Sequence, residues 1–186
     1  MEFATTEIGR ERKGMHVASR GTTNNFNEKG INMETKTALH GDTMEKLQLL
    51  VRINIDSEKG LKEASHAVQD KLVATMFVEL GRERANNALE LQKYIEWNGE
   101  KALEKGSYLA SLHRAWLGVR NLVNGGDSHA ILSEAERGED AIKLAYEDAL
   151  ITTAGSAMND VLTRQYAIVK AGHDRVRAMR DQFAVH

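Results

Sequence analysis

The chain has 186 residues, no cysteine, no proline and a formal charge of −2. Disulfides, thiolate metal sites and thiol nucleophiles are excluded without cysteine, and a nucleic-acid footprint needs a basic excess that this composition lacks. The 41% hydrophobic and 28% charged fractions are those of a soluble globular protein, with length enough for one domain and a sizeable core.

No apolar run approaches the roughly 18 residues of a membrane span. The opening MEFATTEIGRERKG lacks the apolar core of a signal peptide, so a cytoplasmic protein without membrane contact is expected. Residues 1–41 read as a flexible N-terminal extension. Gly9, Gly14, Gly21, Gly30 and Gly41 interrupt any helix, and the apolar Phe3, Met15, Phe26 and Ile31 keep no period. If ordered, this arm would be held by another subunit or partner. Residues 42–186 form the folded domain.

The first helix is expected to start at Asp42, with Glu45 at capping-box spacing, and to end near Gln69. Its stripe is Leu47, Val51, Asn54, Glu58, Leu61, Ser65 and Val68. Asp70 caps a second helix from Lys71 to about Trp97, striped by Val73, Met76, Leu80, Glu83, Asn87, Leu91 and Tyr94. Asn98-Gly99 is its stop, and the short link at Asp70 makes the first two helices an antiparallel hairpin.

A long connection follows, with an amphipathic helix over Tyr108 to Val123 carrying Leu109, Leu112, Trp116 and Val119. His113 and Trp116 read as packing residues there. A third helix runs from Asp127 to about Ile151 and a fourth from Ser156 to about Phe183, with Ser156 as its N-cap. The stripes are Leu132, Ala135, Glu139, Ile142, Tyr146 and Ala149, then Leu162, Tyr166, Val169, His173, Val176 and Arg180. Two hairpins joined by a long crossover give an all-α, ferritin-like four-helix bundle; an up-down-up-down bundle with a capping helix is the other connectivity.

Each long helix interrupts its apolar stripe with an ionisable residue near the middle. Counted from the hairpin turns, Glu58, Glu83, Glu139 and His173 fall within roughly 9 Å of one another along the axis. Carboxylates and imidazole on facing helices are the donors of carboxylate-bridged iron or manganese centres, so these four are the candidate metal ligands. The spacing fails the full di-iron pattern, because Leu61, Asn86 and Ile142 stand three residues after the glutamates and Lys170 three before His173. The only Glu-x-x-His is Glu63-Ala-Ser-His66, off the shared level. The competing reading is a buried polar network, with Glu83 held by Arg84 or Asn87, and Glu58 and Glu139 by His173 or an arginine. It needs no cofactor and no catalytic residue. Arg175, Arg177 and Arg180 complement the negative end of the fourth helix dipole, and Met44, Met76, Met158 and Met179 fill the core.

The segments LHRAW, NGGDSHAILSEAERGEDAIKLAYEDAL and RQYAIVKAGHDRVRAMRD give the chain a family likeness. With IDSEKGLKEA and FVELGRERANNALELQ, it resembles a bacterial ferritin-like four-helix-bundle family of unknown function, often found among stress-associated proteins, over about Thr43 to Gln182. The resemblance implies a ferritin-like fold and a homo-oligomer, and by analogy with ferritin-like proteins iron or manganese binding. Two functions are therefore expected: a non-enzymatic, self-associating protein, or a metal-binding, oxidase-type relative using Glu58, Glu83, Glu139 and His173.

Overall fold

The computed structural model describes residues 33–102 and 127–184. The described residues form four α-helices, α1 Gly41–Ala67, α2 Lys71–Trp97, α3 Ser128–Thr152 and α4 Asn159–Phe183, and one isolated bridge between Thr35 and Ala38. The expected helix over Tyr108 to Val123, with His113 and Trp116, lies outside the described residues.

Local signals set most helix ends. Asp70 accepts from the amides of Leu72 and Val73 at 2.8 and 3.0 Å and starts α2 where the sequence places it. Asp127 does the same for α3 through His129 N at 3.3 Å. Gly99 and Gly155 take positive φ of 80° and 81°, the left-handed conformation that ends α2 and turns the chain from α3 toward α4. Two expected starts move. α1 begins at Gly41 behind His40, with no side-chain cap, so the Asp42–Glu45 capping box does not form. α4 begins at Asn159, because Ser156 caps the preceding turn instead and accepts from Met158 N at 3.1 Å.

α1 packs on α2 and α3 on α4 as hairpins; α1 also packs on α3, and α2 meets α4 most sparsely. Helix directions follow from cross-pairs. Lys46 meets Asp148 while Ser57 meets Glu139, so α1 and α3 run antiparallel. Arg175 meets Glu79 while Arg164 meets Glu90, so α2 and α4 do too. α2 and α3 therefore point the same way. Leu47, Leu50, Ile53, Leu61, Phe77, Leu80, Leu91, Ile131 and Leu162 are among the buried core side chains. Burying each such side chain contributes about 1.5–3 kcal/mol.

Residues 34–40, expected within the extension, are fastened to the bundle. Glu34 Oε2 accepts from Ala157 N at 2.9 Å, Lys36 Nζ donates to Asp160 at 2.7 Å and Leu39 N to Asn98 Oδ1 at 2.8 Å. The compact unit starts at Glu34. Residues 1–32 lie outside the described residues.

Candidate functional site

The middle of the bundle holds a buried polar layer built from all four helices. On α2 the core face passes through Leu80, Arg84, Asn87 and Leu91, one residue later than the expected step at Glu83. On α1 it passes through Asn54, Ser57 and Leu61, leaving Glu58 at the edge. Arg84 and Glu139 are both wholly buried, and the guanidinium Nη2 donates to Glu139 Oε2. Ser57 Oγ lies 3.4 Å from the other carboxylate oxygen. α4 contributes space: a Cβ on Gly172 would stand 2.7 Å from Arg84 Nη2 and 3.4 Å from Glu139 Oε2.

A second set of bonds runs beside this pair. Asn54 Nδ2 donates to Leu50 O and to Tyr146 Oη, each at 2.8 Å, and Tyr146 donates to Gln165 Oε1 at 2.8 Å. Gln165 Nε2 donates to Glu90 Oε2 at 2.7 Å, and Arg164 reaches the same carboxylate at 2.6 Å. The chain of bonds thus leaves α1, crosses α3 and α4 and surfaces on α2. Burial pushes the Tyr146 hydroxyl well above the ordinary tyrosine range, with the Asn54 bond acting weakly the other way. At Glu90 burial acts to raise the carboxyl, but bonds from Arg164 and Gln165 overcome it and hold the group below its usual range. Arg84 Nε and Nη1, Asn87 Nδ2 and Asn54 Oδ1 are buried without a hydrogen-bond partner among the described residues.

The four candidate ligands stand in different surroundings. Glu139 faces Arg84. His173 is buried, but its ring bonds Asp140 through Nε2 at 3.0 Å and Asp174 through Nδ1 at 3.1 Å. Glu83 is half exposed and lies 3.8 Å from Arg175. Glu58 is half-buried on the wall of a groove between α1 and α2, with His66 of the Glu-x-x-His segment. Among the described residues no three His, Asp or Glu side chains are grouped as metal ligands would be. Glu139, the candidate ligand that is wholly buried, has the Arg84 guanidinium as its counter-charge.

Arg175 and Arg180 are engaged with Glu79 and with Glu136 and Asp181. Met44, Met76 and Met158 are in the core and Met179 packs against it. Arg84 and Gly172 carry the layer; Arg84 was expected there only as a partner of Glu83, whereas its guanidinium meets Glu139, and Gly172 was not foreseen. Phe77 and Ile95 were the available signal for Arg84: both are apolar one position after an expected stripe residue, which shifts the face onto Arg84. For Gly172 the signal was a glycine inside a strongly periodic helix, where it costs about 1 kcal/mol against alanine and so implies a packing reason.

These features define an all-α four-helix bundle organised around an internal ion pair. A family model described as "Domain of unknown function (DUF2383)" matches residues 42–152, and the chain belongs to that family. The match takes in α1, α2 and α3; α4, with Gly172 and His173, follows it in the chain. No curated protein matches the chain.

Proposed function

We propose that the protein is a ferritin-like bundle that acts without catalysis, as a self-associating protein whose mid-bundle charges serve the fold. The observation that carries this reading is Arg84. Its guanidinium stands against Glu139 with both side chains wholly buried, so the carboxylate is already neutralised from within. A divalent cation brought to the same oxygen would meet a fixed positive charge in a medium of low dielectric, where repulsion is strong. The helix directions support the ferritin-like connectivity, in which two hairpins are joined by a long crossover. No described helix is long and apolar enough to cross a membrane. A stress-related role is the setting suggested by the family likeness.

The test is elemental analysis of the full chain purified without chelator, with melting followed on addition of ferrous iron or manganese. Metal well below one equivalent and an unmoved melting temperature are expected. Stoichiometric metal that disappears in both Glu139→Ala and His173→Ala would overturn the reading in favour of the metal-binding relative.

A further inference from the structure

The outer face of α2 carries a pattern that the bundle itself does not use. Lys71, Thr75, Val78 and Arg82, then Ala85, Leu89, Gln92 and Glu96, recur at alternating steps of four and three residues. That is the spacing of a two-helix seam, of which Val78, Ala85 and Leu89 are the apolar members and the rest are polar. The core face of α2 is a separate stripe, through Val73, Leu80, Arg84 and Leu91. Val78 and Leu89 are 48% and 56% exposed, more than an apolar side chain in a finished interface would be. Lys71, Arg82 and Glu96 are exposed and make no ion pair among the described residues.

The pattern is self-complementary when read in opposite directions. Laid antiparallel on a copy of itself about a two-fold axis between Arg82 and Ala85, the helix sets Lys71 against Glu96 and Thr75 against Gln92. Val78 then meets Leu89, and Arg82 lies over Ala85. A parallel copy would instead oppose Lys71 to Lys71 and Glu96 to Glu96. An isologous two-fold contact requires this kind of self-matching surface.

Two further observations fit the same register. Beside Val78, α1 and α2 leave a groove of about 390 Å³ whose α2 wall is Phe77, Val78, Gly81, Arg82 and Ala85. In the antiparallel pair Leu89 of the second copy stands over it, a side chain entering a hole of the facing helix. At the helix ends Leu72 and Trp97 are 75% and 60% exposed on one flank of the seam. Antiparallel packing brings Leu72 of each copy to the neighbourhood of Trp97 of the other.

We propose that a second copy of this chain packs antiparallel along the outer face of α2, with Leu89 of each seated in the α1–α2 groove of the other. The proposal rests on the reading of the protein as self-associating and names the surface responsible.

Sedimentation of the full chain, wild type and variants, tests it, with far-UV circular dichroism to confirm that each variant is folded. Leu89→Lys should weaken the dimer at least tenfold. Lys71→Glu should weaken it several-fold, and Lys71→Glu with Glu96→Lys should restore it. Because the chain has no cysteine, Thr75→Cys with Gln92→Cys gives a clean crosslink. About 25 Å separates these positions along one helix, so mild oxidation can join them only between copies. A covalent dimer from the double variant, with none from Thr75→Cys alone, supports the antiparallel register. A wild-type dimer indifferent to Leu89→Lys, without crosslinking, overturns this interface and leaves self-association standing. A wild type that stays monomeric at every concentration overturns both.

Discussion

Gly172→Ala probes the buried ion pair with the smallest perturbation available. The new Cβ would stand 2.7 Å from Arg84 Nη2 and 2.9 Å from Leu80 Cδ2. Reaching 3.4 Å, where ordinary contact begins, asks the guanidinium to retreat about 0.7 Å and the Leu80 methyl about 0.5 Å. Neither has free space, since Arg84 and Leu80 are wholly buried. Overpacking of this kind costs about 1–3 kcal/mol, and pulling the guanidinium off Glu139 weakens a charged hydrogen bond worth about 1.5–3 kcal/mol. Against this, alanine improves on glycine in a helix interior by about 1 kcal/mol. The expected balance is a loss of about 2 kcal/mol, read from urea unfolding followed by circular dichroism. In an Arg84→Met/Glu139→Leu background the loss should shrink, because the guanidinium it strikes is gone and only the Leu80 contact remains. A Gly172→Ala protein as stable as wild type would refute the reasoning.

Removing one partner of the pair should cost far more than removing both. Glu139→Ala leaves a buried guanidinium uncompensated and is expected to cost about 3–5 kcal/mol, whereas Arg84→Met with Glu139→Leu should fall near wild type or above it; a two-by-two denaturation cycle decides. Alkaline stability should depend on Tyr146. Its folded pKa is raised above the ordinary 10.0 by burial, so its contribution is full below about pH 10 and is lost as pH rises through the folded value. Tyr146→Phe should therefore flatten the alkaline limb of a melting profile, while at neutral pH it strands Gln165 Oε1 at a cost of about 1–3 kcal/mol. Asp70→Ala should cost about 1 kcal/mol by uncapping α2, and an unchanged urea midpoint would show that cap to be idle.

Helix identity was legible because it depends on local signals. α2 runs from Lys71 to Trp97 as its cap and its Asn-Gly stop indicate, and α3 starts one residue after Asp127. The polar layer was half legible. Glu139 and His173 sit on stripes with clear apolar neighbours and are buried, whereas Glu58 and Glu83 sit beside a polar residue that fits the stripe equally well. Periodicity near 3.6 cannot choose between neighbours when both are polar, and packing gave the places to Ser57 and Arg84. The fastening of residues 34–40 was illegible for a different reason. It is made by single side chains reaching amides and carboxylates far away in the chain, and such bonds leave no period.

That fastening changes how the molecule can come apart. Glu34 and Lys36 are bound to Ala157 and Asp160, more than 120 positions further along, and Leu39 is bound to Asn98 at the foot of α2. An ordinary bundle can fray from either outer helix while the remainder stays zipped. Here the lead-in to the first helix is tied to the start of the last one, so loss of either loosens the other. In its mechanics the chain from Glu34 to Phe183 behaves less as a thread with two ends than as a ring with a clasp.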